Sequence, residues 1–427
     1  MIGSIILWSA ITIRIVLLEN KYRVRFFMKI LIINKFLHPN GGSETYIFSI
    51  GKQLAQMGHE VQFFGMEHDG RIVGNHAESY TTNMEFHGGG LSKVLYPFKI
   101  LYSFEARKKL RAVLKDFDPD VVHLNNINFQ LTPSVIDEVK AFNNKIKVVY
   151  TAHDGQWVCP NHLMRIPATG ERCTSCIDGK YGYCTKNRCI HNSKVKSVLG
   201  TIEARLYRLL GTYKKVDLII SPSEFLADKL SHNRDLNGRI VALHNFVDLP
   251  EKYEERPKRD YVLYFGRYDI EKGIKVLIEA CKNLPEIDFV FAGKGELETE
   301  LERCENVKNV GFKNHKEIIE LIQNAKFTVF PSIWYENCPF SVIEAIVNGT
   351  PVIGSNLGGT PELIQNGRTG ILYNADDAEE LTNVIRNLWN NEEMCRELSC
   401  NCIEETKKGT FDSLEVYCKK LVEYYEK

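Results

Sequence analysis

The chain has 427 residues, too many for one ordinary domain and enough for two that each bury a core. Its 44% hydrophobic and 25% charged residues are the composition of a water-soluble globular protein. Lys plus Arg equal Asp plus Glu at 54 each, and no basic excess or basic motif points to a nucleic-acid partner.

Residues 1–27 read as an N-terminal extension. Ile5 to Leu18 is largely apolar but carries Arg14 and falls short of the roughly 20 residues that span a bilayer. No small-residue cleavage site follows. An upstream start and a short membrane-contacting segment both fit. Met28-Lys29 then opens a natural first strand, Lys29 to Asn34.

From there, short β-branched runs alternate with amphipathic stretches, the pattern of parallel sheets covered by helices. Strands are predicted near Ile30–Ile33, Val61–Gly65, Val121–Leu124, Val148–His153, Leu218–Ser221 and Val241–His244. The turn Asn40-Gly41-Gly42-Ser43 after the first strand leads into a helix from Glu44. His123 and His153-Asp154 stand at strand ends, where both histidines are expected to face a cleft; a structural role is the alternative. A proline-punctuated, charged linker from Asp248 to Asp260 separates this series from a second one, with strands at Tyr261–Phe265, Phe289–Ala292, Val310–Phe312, Phe327–Pro331, Pro351–Gly354 and Gly370–Tyr373. The expected organisation is two open α/β domains, 28–247 and 248–410, with a helix over 411–427 that can pack back on either. Ligands of such sheets bind beyond the carboxyl ends of the strands, so the site belongs in the cleft between the domains.

Two features interrupt the first domain. Residues 155–192 form an insertion poor in apolar residues, containing Cys159, Cys173, Cys176, Cys184 and Cys189. A structural zinc site is one reading; an iron–sulfur cluster, a redox-labile pair or plain reduced thiols are the others. With no export signal, reduced thiols and a cytoplasmic setting are expected. Residues 191–215 then read as a basic amphipathic helix, suited either to an anionic membrane surface or to packing on the sheet with a solvated cationic face.

Four elements of the second domain sit at predicted strand ends. Gly266-Arg267, followed by Glu271-Lys272-Gly273, offers an Arg fork and a Lys point charge to a diphosphate, or is a solvated charge pair. Gly293-Lys294-Gly295 allows close approach of a flat ligand such as a nucleobase, though a plain turn explains it equally well. Glu336-Asn337-Cys338-Pro339-Phe340 precedes a Pro-initiated helix with Glu344 on its second turn, so Glu336 can reach a sugar at the helix mouth and Glu344 can accept from ribose hydroxyls. Gly358-Gly359-Thr-Pro361-Glu362 makes a glycine turn and a second helix mouth on the same crevice.

Together these elements resemble glycosyltransferase family 4, the retaining enzymes of the GT-B fold. The resemblance rests on the Glu-x7-Glu spacing from Glu336 to Glu344, the Gly266–Gly273 segment, the Gly349-Thr-Pro-Val352 block and the Gly-Gly-x-Pro-Glu turn, in the family's order. It implies a nucleotide-sugar donor held by Arg267 and Lys272 at its diphosphate and by Glu344 at its ribose. Glu336 would then contact the transferred sugar, and Gly42 would belong to a glycine loop at the donor and acceptor. It also implies a role for His153 at the sugar or acceptor, retention of anomeric configuration, and no obligatory catalytic metal. Surface-polysaccharide assembly is a common role in the family, with a glycan or lipid-linked acceptor; if residues 191–215 lie on a membrane, the acceptor is lipid-linked and the enzyme peripheral at the inner face of the cell membrane. Asn337-Cys338-Pro339-Phe340 replaces the common Gly-Phe-Gly, which leaves the sugar unspecified. A non-catalytic GT-B-like subunit supporting a partner transferase is the alternative. A dinucleotide oxidoreductase is disfavoured because no Gly-x-Gly-x-x-Gly follows the first strand.

Overall fold

The computed structural model describes residues 27–83, 99–252 and 257–427. The N-terminal extension, except its last residue, and part of the linker lie outside them. The first domain is built on β1 (Lys29–Ile33), α1 (Gly42–Gln56), β2 (Glu60–Phe64), β3 (Val121–Leu124), β4 (Lys147–Thr151), α2 (Lys194–Leu209), β5 (Leu218–Ser221), α3 (Glu224–Ser231) and β6 (Ile240–Ala242). The second contains β7 (Arg259–Phe265), α4 (Ile274–Lys282), β8 (Phe289–Ala292), β9 (Val307–Asn309), β10 (Ala325–Phe330), α5 (Phe340–Val347), β11 (Val352–Ser355) and β12 (Gly370–Tyr373), and α6 (Leu414–Glu426) ends the chain.

Each domain holds a six-stranded sheet, in the orders β2-β1-β3-β4-β5-β6 and β12-β11-β10-β7-β8-β9. The named pairings are parallel throughout. Parallel strands need crossover helices on both faces, so the inner strands are largely buried and rich in apolar residues, whereas the edge strands Ile240–Ala242 and Val307–Asn309 are only partly buried. Ile30 to Ile33 and Phe289 to Ala292 show the inner pattern directly, all of them buried. The third strand of the second domain, at one edge of its sheet, falls at Val307–Asn309, a few residues before the expected Val310–Phe312.

Helix α6 crosses back and packs on α1 of the first domain. The Tyr417 and Tyr46 hydroxyls lie 2.9 Å apart there, and Tyr425 Oη stands 2.7 Å from His123 Nδ1. The second ring nitrogen of His123 meets Thr151 Oγ1 at 2.8 Å. His123 is therefore enclosed with both nitrogens satisfied, and burial drives its pKa down to about 3. The expectation that both strand-end histidines face the cleft is corrected: His123 anchors the returning helix.

The cysteine-bearing insertion leans across the cleft. An antiparallel bridge joins Arg165 to Arg172, and the Arg172 guanidinium donates to Asp376 Oδ2 of the second domain at 2.8 Å. The His162 ring lies 6.3 Å from that of Trp334. Helix α2 follows, capped by Ser193 Oγ, which accepts from Lys196 N. No helix among the described residues is long and apolar enough to cross a membrane.

Candidate active site

The second sheet places its chemistry where β7 and β10 end. Gly273 opens α4 with φ +72, and a Cβ on it would stand 1.8 Å from Pro331 O. Only glycine permits that approach, which sets Lys272 beside the loop after β10. Lys272 Nζ donates to Glu336 Oε1 at 2.6 Å, and the same oxygen accepts from Ser332 Oγ at 2.8 Å. Both partners are largely buried, so their attraction is little screened by solvent. Arg267 leaves the end of β7 with its side chain 73% exposed, paired with Asp269 at 2.8 Å. The two cations thus differ: Lys272 is fixed, and Arg267 is free to fold onto a ligand.

The Glu336 loop is braced from behind and from across the cleft. Gly359 N donates to Glu336 O at 2.7 Å, and a Cβ at Gly359 would collide with Asn337 O. Asn337 Nδ2 donates to the His153 carbonyl at 2.5 Å. His153, two residues past β4, bonds Asn125 Oδ1 through Nε2 at 2.9 Å and meets the edge of Tyr46. Desolvation lowers its pKa to about 4 despite Asp154 nearby, so it is a neutral imidazole at pH 7. Asn126 in the same loop donates through Nδ2 to Ser43 Oγ at 2.9 Å, beside Gly42 at the start of α1. Glu44 is buried there, accepting from Asn34 Nδ2 and Ser43 Oγ, both at 2.9 Å. A continuous polar framework therefore runs from the glycine loop through Asn126, Asn125, His153 and Asn337 to Glu336 and Lys272.

The other predicted residues divide. Glu344 sits on α5 with its carboxyl largely desolvated; burial, then the Asp248 charge, pushes its pKa up to about 7. Cys338 and Phe340 spend their side chains on domain packing. Asn245 N donates to Cys338 Sγ at 3.2 Å, Asn245 Nδ2 donates to Cys338 O at 3.0 Å, and the Phe340 ring lies 5.9 Å from Phe246. From these two only the backbone is left for a ligand. Pro339 caps α5 in extended conformation. At Gly293 and Gly295 an added Cβ would strike Gly266 O at 1.9 Å and Tyr268 N at 2.6 Å. Packing of this loop against the Gly266–Tyr268 turn therefore accounts for both glycines, and Gly266 itself has φ +146.

Sequence reasoning missed Ser332, Asn125 and, above all, the reach of Glu362. The Glu362 carboxylate accepts from Glu224 N and Phe225 N at 2.8 and 2.7 Å, at the start of α3 in the other domain, and stands 2.9 Å from His244 Nε2. Burial alone would raise its pKa, but the His244 bond and the two amides outweigh it, and the net shift is downward.

Two facing parallel-sheet domains, a returning C-terminal helix and a cleft that carries Lys272 and Arg267 define a GT-B glycosyltransferase. The pattern described as Glycosyltransferase Family 4 matches residues 40–251, and that of Glycosyl transferases group 1 matches residues 246–408. The chain belongs to glycosyltransferase family 4. It is 23% identical over 357 residues to an uncharacterized 42.6 kDa protein in the cps region of Klebsiella pneumoniae, covering 79% of this chain and 87% of that one. It is 32% identical over 143 residues to the amylovoran biosynthesis glycosyltransferase AmsK of Erwinia amylovora, covering 30% and 35% of the two chains. Among solved structures, Anabaena Alr3699/HepE in complex with UDP and glucose superposes with a TM-score of 0.63 at 16% identity, over 93% of this chain and 99% of that one.

The Glu344 carboxyl carries a pH prediction. If Glu344 holds the ribose of a donor, the hydroxyl would donate to the ionised form, and donor binding would draw the proton off. With a free-state pKa of about 7, donor affinity should rise with pH and be about tenfold weaker at pH 6 than at pH 8. Calorimetric titration with the donor checks this, and Glu344→Gln should flatten the profile.

Proposed function

We propose that the chain is a retaining glycosyltransferase that moves a hexose-type sugar from a nucleoside diphosphate to a hydroxyl of a glycan or lipid-linked intermediate in surface-polysaccharide assembly. The observation that carries this is the Lys272–Glu336 pair at the cleft, tied through Asn337 to His153 of the opposite domain. Lys272 and Arg267 would offset charge growing on the departing diphosphate, a preorganised electrostatic stabilisation. Glu336 would hold a hydroxyl of the transferred sugar, and neutral His153 would share a hydrogen bond with sugar or acceptor. Departure and attack on the same face of the sugar then retain configuration. The chain's own cations meet the developing charge, so no metal ion is given a catalytic part. HepE was solved with UDP and glucose, which supports a nucleotide-sugar donor.

A lipid-linked acceptor fits the outer side of α2. Val195, Ile202 and Leu209, spaced seven residues apart, are exposed at 71%, 44% and 86%, beside exposed Lys194, Lys196 and Arg205. Apolar side chains at one level with flanking cations suit an anionic bilayer surface, which would hold the enzyme peripherally at the cytoplasmic face of the membrane.

The test is a donor screen by release of nucleoside diphosphate, followed by assignment of the product's anomeric configuration. Release from one class of donor with retained configuration supports the reading. Binding of donors without release from any of them would favour a non-catalytic subunit, and an inverted product would overturn the proposed mechanism.

A further inference from the structure

The five cysteines of the insertion come from separate turns, yet all line one small cavity together with Asn161, Arg165, Ile177 and Tyr183. Its accessible space is about 10 Å³, which admits one water-sized occupant. Cys159, Cys176, Cys184 and Cys189 are buried around it, whereas Cys173 is half-exposed and directs its thiol to Ser175 Oγ at 3.4 Å. Cys184 and Cys189 share this cavity wall with Cys159 and Cys176. The remaining buried apolar company is sparse: Tyr181 and Ala204 complete this cluster, with Ile190 partly buried against it. Trp157, Val158, Met164 and Ile177 root the 155–192 segment in the main core of the first domain, so the small cysteine cluster is what holds its outer turns together.

The Cys159 thiol donates to Asn161 Oδ1 at 2.8 Å. Arg165 lines the cavity, and its Nε donates to Gly170 O at 2.7 Å.

We infer that Cys159, Cys176, Cys184 and Cys189 bind one zinc ion that staples the insertion, with Cys173 outside the ligand set. Zinc takes four ligands in structural sites, and the four buried thiols meet that number. Each thiol gives its proton to solvent as its sulfur bonds the metal, so four thiolates and Zn²⁺ leave a net charge of −2. Arg165 offsets part of it. As the side chains stand among the described residues, no three such groups are arranged to hold a metal. The sulfurs must therefore turn inward, and a change of χ1 well moves a sulfur by about 3 Å, enough to cross this cavity. The staple would fix the two ends of the Arg165–Arg172 hairpin and so the Arg172–Asp376 contact that closes one side of the cleft.

The experiment is elemental analysis of the purified full chain, prepared in reductant without chelator. About one zinc per chain is expected, retained in Cys173→Ser and lost in the double variant Cys176→Ser/Cys184→Ser. Cobalt titration of chelator-treated wild-type protein guards against misfolding of the variant, and it should give the intense sulfur-to-cobalt absorption of a tetrahedral thiolate site. Wild-type protein that binds neither zinc nor cobalt would overturn the inference. So would iron with sulfide at this site, a Cys184–Cys189 disulfide found under the same conditions, or zinc unchanged in the double variant.

Discussion

Glu336→Gln should lower kcat by about 10²–10³ while leaving the affinity for free nucleoside diphosphate unchanged, and Lys272→Ala should lower both. The two differ because the residues are proposed to meet different parts of the donor. Glu336 shares Oε1 between Lys272 at 2.6 Å and Ser332 at 2.8 Å, which fixes the carboxylate and leaves Oε2 for a sugar hydroxyl. The amide of Gln still accepts from Lys272 through its oxygen, so the loop keeps its shape. What is lost is the negative charge close to a reacting sugar. In Lys272→Ala the diphosphate loses a fixed cation, and Glu336 loses the partner that neutralises it in a largely buried position, a second penalty. Arg267→Ala should cost less in nucleotide affinity than Lys272→Ala, because an exposed guanidinium must first be ordered on the ligand. Steady-state kinetics and calorimetric binding of the nucleoside diphosphate decide the matter. Full activity in both Glu336→Gln and Lys272→Ala would remove the site assignment.

The sheets were readable because inner parallel strands covered on both faces are mostly apolar, and the start of α5 was readable because Pro339 and a preceding loop carboxylate mark a helix mouth. Side-chain direction was not. Cys338 and Phe340 lie within the motif that contains Glu336, yet they face Asn245 and Phe246, and nothing in their spacing distinguishes a residue aimed at a ligand from one aimed at the other domain. Gly293 and Gly295 show the same ambiguity: close approach was the right physical reason for glycine, but the approaching group is the chain's own Gly266–Tyr268 turn. In α2 the cationic residues stood out, while Glu203 on its inner face did not. That carboxyl is buried beside Asn128, and burial raises its pKa to about 8, so the helix carries a neutral acid against the domain core. His123 and His153 both stood at strand ends expected to face the cleft, and only the neighbouring Asp154 and the family resemblance favoured His153. The returning helix α6 separates them by placing Tyr425 on one, and that contact spans 302 residues of sequence.

Glu362 is the residue whose loss should most change how the domains act together. Its carboxylate receives three hydrogen bonds from the first domain, two of them from the free amides that open α3, where the helix dipole favours negative charge. Each charge-assisted bond of this kind contributes about 1.5–3 kcal/mol. Loss of the set in Glu362→Ala should therefore cost at least about 3 kcal/mol of docking, or roughly 100-fold in the population with the cleft assembled. The consequence at the site is specific. Gly358 and Gly359 in the same turn pack directly against the backbone of Glu336 and Asn337, and Asn337 holds the His153 carbonyl. An undocked turn releases the one element that aligns both sides of the reaction, so kcat/KM should fall by about 100-fold. Glu362→Gln, which can still accept from one amide, should fall between. Because the carboxylate pKa is held below its ordinary range, the docking contribution is present at neutral pH and is lost only as the medium becomes acidic enough to protonate Glu362 in the docked state. Small-angle scattering of the two variants and the parent at pH 7.5 would show it as an increase in radius of gyration. Unchanged scattering together with unchanged kcat/KM in Glu362→Ala would mean that the remaining contacts, Arg172–Asp376 and the Cys338–Asn245 packing among them, hold the domains without this latch.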